Sequence, residues 1–300
     1  MSEFKLTTVE EFEAATARLL ETGEKVGADS WQMRVKNQTP HCKFGEQGVC
    51  CRICSMGPCR ITPKAPRGIC GCDVHGIVGR NFLRFTAGGA ATHSDHGREI
   101  CITLGHAKEG GDYQVKDPEK LIRIAKEWGV ETEGKDIYDL AHEMSDLAQE
   151  EYGKIRGFSR WLKRAPQHTQ DLWHAAGIEP RAIDREVSCA LHMTHMGNTS
   201  KPEALIRQAL RNGLSDGWGG SMCGTEFSDV LFGTPKPIDT EANLGVMNAE
   251  NVNIVVHGHD PSLSEMICEY ADSKEMIDYA KSMGAKGITV SGVCCTSNEV

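Results

Sequence analysis

The stretch "VNIVVHGHDPSLSEMICEYADSKEMIDYAKSMGAKGITVSGVCCTSNEV", residues 252–300, changes its hydrophobic period along its length. An apolar run opens it, a helical pattern follows, and the second apolar run "GITVSGV" leads into a loop and the start of a new helix. The order strand, loop, helix, strand predicts a βαβ unit. In a right-handed crossover both strands run the same way, so the loops after them emerge on one edge of the sheet. One loop carries His257 and His259, the other Cys294 and Cys295. Each alone reads as a polar loop histidine or a small buried thiol. Their meeting on one edge, where α/β proteins place their sites, shifts the odds away from those readings.

Upstream of the Pro/Gly-rich joint "FGTPKPIDTEANLG" the chain reads mostly helical. "DPEKLIRIAKEW" has Asp117 as cap, Pro118 at the first helical position, apolar Leu121, Ile124, Ala125 and Trp128, and Gly129 at its end. "DIYDLAHEMSDLAQEEYG" sets Ile137, Leu140, Ala141, Met144, Leu147 and Ala148 on one stripe. The expected organisation is a helical domain over 1–236 and the beginning of an α/β domain over 237–300.

The 300 residues allow two domains. A net charge of -9, from 33 basic and 42 acidic residues, argues against a nucleic-acid or anionic-membrane surface. The N-terminus "MSEFKLTTVEEFEAATARLL" lacks a basic region followed by an apolar core, and no apolar run approaches the roughly 18 residues of a membrane span. The expected location is the cytoplasm. Because that compartment keeps thiols reduced, thirteen cysteines point to metal and away from a disulfide framework.

Six of those thiols crowd into "CKFGEQGVCCRICSMGPCRITPKAPRGIC", residues 42–70. Cys51, Cys54, Cys59 and Cys70 supply four local thiolates, enough for one [4Fe-4S] cube. Cys42 and Cys50 remain, and two thiolates hold only half of a second cube. A two-fold axis beside them would bring the same pair from another copy, so the leftover pair predicts a homodimer. Zinc is the rival occupant, but its ribbons pair two C-x2-C knuckles and the second half here is not one.

"GVCCRICSMGPCR", "RGICG", "GAATHSDHG", "LFGTP", "VVHGHDPSLSEMI" and "GVCCTSNEV", in that order, resemble the nickel-containing, anaerobic-type carbon monoxide dehydrogenase catalytic subunit, within the superfamily shared with hybrid-cluster protein. The resemblance spans about residues 40–300 and implies a helical N-terminal domain followed by Rossmann-like domains in a homodimer. It implies that Cys51, Cys54, Cys59 and Cys70 hold the intrasubunit [4Fe-4S] cluster, and that Cys42 and Cys50 share one across the dimer axis. At the nickel-iron-sulfur centre, His259 and Cys295 match ligands, and Cys294 matches an assisting or alternative-state ligand. The implied reaction is the reversible oxidation of CO with water to CO2, two protons and two electrons. Electrons would pass to a ferredoxin-like acceptor, with an acetyl-CoA synthase subunit as a further partner.

Two departures accompany the resemblance. Family members are about twice as long, with the remaining ligands and an acid-base lysine in the part absent here, so this chain is expected to be the N-terminal half of a longer polypeptide. In "THSDHGREICITLGH", His93 and His96 share a helical face and are the candidates for proton transfer. Relatives often continue with histidines where Glu99 and Ile102 stand here, which implies a shorter relay or one rerouted through Glu99. Cys72, Cys101, Cys189, Cys223 and Cys268 are read as buried thiols. The rival readings are a hydroxylamine-reductase-like hybrid-cluster oxidoreductase and a non-enzymatic, metal-binding electron-transfer module.

Overall fold

The computed structural model describes residues 9–25, 27, 31–110, 113–234, 247–258 and 261–295. The backbone contacts divide the chain into two compact units, residues 1–50 and 51–300. The joint at 235–246, with the expected domain boundary at 236/237, and the helix start expected after Cys295 lie outside the described residues.

The first unit contains α1 (Val9–Lys25), α2 (Trp31–Asn37) and the single turn α3 (Lys43–Glu46). Cys42 precedes α3 in extended conformation. A tight turn after α3, closed by hydrogen bonds from Gly48 N–H to the Gly45 carbonyl (3.0 Å) and from Val49 N–H to the Phe44 carbonyl (3.1 Å), leads the chain to Cys50. That residue opens the two-residue strand β1 (Cys50–Cys51).

In the second unit β2 (Cys59–Arg60) lies within the cysteine loop, and the chain then enters α4 (Val74–His106), 33 residues long. Asp73 starts this helix by accepting a hydrogen bond from Gly76 N–H at 2.9 Å, satisfying one of the donors a helix start leaves open. Ile77, Arg80, Leu83, Ala87, Ala90, Ser94, Gly97, Cys101 and Leu104 form its buried stripe, at steps of three or four residues. Against α4 pack α6 (Ile137–Gly153), α8 (Ile183–Thr194), α9 (Pro202–Ser215) and α10 (Met222–Phe232), while α5 (Pro118–Glu127) packs on α6 and α10, and α7 (Gln167–Ala176) packs on the short helical turn Arg160–Arg164. The two helices expected over 117–128 and 136–153 are α5 and α6, with the Asp117 side chain accepting from Lys120 N–H and Asp136 from Tyr138 N–H, both at 2.9 Å. Leu121, Ile124, Leu140 and Met144 are fully buried between them and α4.

A π-helical turn, Asp216–Ser221, joins α9 to α10. This turn and α6 lie so close to α4 that a Cβ on Gly97 would collide with the Tyr152 hydroxyl of α6 and sit 2.9 Å from the Gly220 carbonyl oxygen of the turn. Backbone cannot yield as a flexible side chain can. Gly97→Ala is therefore expected to lower stability by about 1–3 kcal/mol, the usual penalty of overpacking, seen as a lower melting temperature under anaerobic thermal denaturation; an unchanged transition would contradict this packing.

After the joint, β3 (Val252–Gly258) and β4 (Ile288–Cys295) pair in parallel, as the βαβ reading requires. The crossover differs from the single helix expected. It contains α11 (Pro261–Asp272) and α12 (Lys274–Ser282), separated at Ser273, which is extended and whose hydroxyl caps α12 by accepting from Met276 N–H at 3.3 Å. Serine favours such a cap over a helix interior, because its hydroxyl competes for backbone donors.

Candidate functional site

Cys51, Cys54, Cys59 and Cys70 line one small cavity together with Cys72 and Arg80. The loop that gathers them is tight: a Cβ on Gly57 would lie 3.1 Å from the Cys51 carbonyl oxygen and 3.2 Å from Cys59 N, so glycine lets the chain turn between these thiols. Ile69 N–H donates to Cys59 Sγ at 3.5 Å, and the Arg80 guanidinium donates to Cys70 Sγ at 3.4 Å. Burial alone would push the Cys70 thiol up, but the Cys72 backbone, Arg80 and the Gly197 backbone outweigh it and bring the thiol down to about 7. Burial pushes the Cys72 thiol up.

Among the described residues no three His, Cys, Asp or Glu side chains converge as ligands of a single ion. The four thiols instead surround a cavity, two of them accepting N–H···S bonds. This donor set fits a cubane cluster, whose irons each take one thiolate from a different side.

His93 and His96 stand one turn apart on α4, both half-buried. Nδ1 of His93 pairs with Oδ1 of Asp216, the first residue of the π turn. A carboxylate only accepts, so Nδ1 carries the proton in this pair. Ser221 Oγ donates to the same Asp216 oxygen at 3.4 Å. A Cβ on Gly220 would sit 3.1 Å from His93 Cβ, and one on Gly224 would sit 3.8 Å from His96 Cδ2, so the π turn and α10 cover this histidine face closely. Glu99 is exposed.

In the α/β segment the register sets His257 opposite Cys294 and Gly258 opposite Cys295, at the carboxyl ends of β3 and β4. His259 is the next residue after Gly258 and lies outside the described residues. Cys42 and Cys50 belong to the first unit, at the two ends of the segment containing α3.

The family model for the Prismane/CO dehydrogenase family matches residues 49–300. This chain belongs to that family. Among similar proteins, carbon monoxide dehydrogenase 1 of Methanosarcina mazei is 46% identical over 290 residues, covering 95% of this chain and 46% of the relative. The carbon monoxide dehydrogenase/acetyl-CoA synthase subunit beta of Moorella thermoacetica is 41% identical over 271 residues, covering 88% of this chain and 40% of the relative. A nickel-free crystal structure of carbon monoxide dehydrogenase from Thermococcus sp. AM4 superposes with a TM-score of 0.74 at 47% identity, covering 94% of this chain and 46% of that one. The chain thus spans a little under half the length of these relatives.

Sequence reading missed Asp216 and Arg80. Asp216 lies 123 residues from His93, and the only local signal was the small-residue run "SDGWGG", which suits an irregular helical turn packed close to a neighbour. Of the thiols read as buried, Cys72, Cys101 and Cys223 are, with Cys101 and Cys223 at 3.7 Å from each other in the core. The hydrogen bond with Cys223 and burial hold the Cys101 thiol well above its ordinary range. Cys189 and Cys268 are only half-buried; Cys189 donates to Gln208 Oε1 at 3.7 Å. Among the described residues no helix is long and apolar enough to cross a membrane.

Proposed function

We propose that this chain is the N-terminal part of an enzyme that reversibly oxidises CO with water to CO2, two protons and two electrons. The observation that carries the reading is the parallel register that sets Gly258 against Cys295 at the strand ends, with His259 next along the chain. Imidazole and thiol donors on adjacent strands are the donor types a nickel-iron-sulfur centre takes. When bound, that centre supplies Lewis acidity for CO and water and accepts the electrons. In this reading His259, Cys295 and Cys294 are its ligands from this part of the polypeptide, held at the edge of a Rossmann-like domain beginning at 237 and following the helical domain over 1–236.

His93 and His96 take and pass the protons. Asp216 holds the His93 ring through Nδ1. Cys51, Cys54, Cys59 and Cys70 hold one [4Fe-4S] cluster, and Cys42 and Cys50 share a second with a second copy of the chain. Electrons leave through these to a ferredoxin-like carrier in the cytoplasm, with an acetyl-CoA synthase subunit as a further partner. The acidic charge of the chain suits no nucleic acid.

His93→Ala is expected to slow turnover by about 10²–10⁴-fold, the usual worth of a general acid-base group, with the nickel content unchanged. Nickel loss in proportion to activity would make His93 a ligand or a structural residue. The reading as a whole is tested by CO-dependent reduction of a viologen dye with the anaerobically purified full-length protein. Reduction with CO is expected. Reduction of hydroxylamine with no CO activity would transfer the chain to the hybrid-cluster branch.

A further inference from the structure

Arg80 is 2% exposed, in the second turn of α4. A buried guanidinium is costly unless an anion and hydrogen-bond acceptors meet it. Its Nε donates to the Thr199 carbonyl at 2.8 Å, and its Nη1 donates to Cys70 Sγ at 3.4 Å. Among the described residues no carboxylate pairs with it. The charge therefore points at the cavity of Cys51, Cys54, Cys59 and Cys70, which Arg80 itself lines.

We infer that Arg80 is the counter-ion of the cluster held by these four thiolates and a positioning residue that raises its reduction potential. The inference rests on the proposed [4Fe-4S] occupant. Such a cluster gains one negative charge on reduction, and a buried, water-excluded cation a hydrogen bond away stabilises the reduced form more than the oxidised one. The N–H···S bond acts in the same direction by drawing charge from the Cys70 sulfur. The Thr199 carbonyl fixes the guanidinium, so the cation cannot swing out to water.

The test is a reductive titration of the full-length holoprotein under anaerobic conditions, following the electron paramagnetic resonance signal that Cys54→Ser removes. Wild type is measured first: zinc, or no signal dependent on Cys54, would overturn the cluster reading and this inference with it. Given that signal, Arg80→Gln is expected to keep its iron and sulfide and to shift the reduction equilibrium at least tenfold towards the oxidised form, which is 59 mV for one electron. Arg80→Lys, which keeps the charge but loses the planar fork, is expected to fall between. An unshifted potential in an iron-replete Arg80→Gln protein would overturn the inference. Should Arg80→Gln fail to assemble, Arg80→Lys decides alone: a lowered potential with full iron supports it, while an unshifted potential or iron loss from both variants overturns it and leaves Arg80 as a brace for the loop.

Discussion

Alanine in place of His259 in the full-length protein is expected to abolish CO oxidation while leaving both [4Fe-4S] clusters in place. The separation follows from chain position. The six thiols proposed for the cubane clusters lie between residues 42 and 70, a stretch that contains no histidine. His259 follows Gly258, which stands in register with Cys295 on the neighbouring strand. Losing a partner that merely orients a metal ligand typically costs 10–100-fold, so losing a ligand itself should cost more, at least about 10²-fold. Electron paramagnetic resonance reads the clusters and dye reduction the activity. Activity near wild type would remove His259 from the active centre.

Cys50→Ser is expected to remove one cluster and spare its neighbour, although the adjacent residue Cys51 serves that neighbour. In the proposed reading Cys42 and Cys50 contribute two thiolates, half of what a cube needs, and a second copy contributes the other half. Iron should fall by about two atoms per subunit, half of a shared four-iron cube. The dimer should loosen in size-exclusion measurements, because the cluster ties the two copies together. A loss of about four irons per subunit would mean that the cluster is not shared.

Local signals carried most of the architecture into the sequence. Asp117 announced α5 because a capping carboxylate acts within three residues of its own position, and the apolar stripe from Ile137 to Ala148 announced α6. The parallel pair of strands was legible from period, but His257, Cys294 and Cys295, expected in the loops after the strands, lie within the last positions of β3 and β4, because the parallel ladder runs to those residues. The break at Ser273 was not read, since residues on both sides of it are good helix formers and only the serine marks the cap. Less local facts were hidden. That Asp216 meets His93 depends on a π turn and on glycines close-packed against α4. That Arg80 meets Cys70 depends on α4 turning its second turn towards the cysteine loop. Both contacts arise from helix packing, which no short motif encodes. His93 and His96 as a pair were readable at three-residue spacing; the carboxylate that orients His93 was not.

We propose an enzyme that carries nickel in an iron-sulfur centre and passes its electrons out through a separate set of cubane clusters. Elemental and sulfide analysis of the anaerobically purified full-length protein is the direct test. Nickel is expected together with iron and acid-labile sulfide, with about six irons per subunit in the cubane clusters, four from the Cys51 to Cys70 cluster and two from the shared one, and further iron with the nickel. Iron and sulfide in protein that stays nickel-free after incubation with nickel under reducing conditions, or zinc in their place, would contradict it.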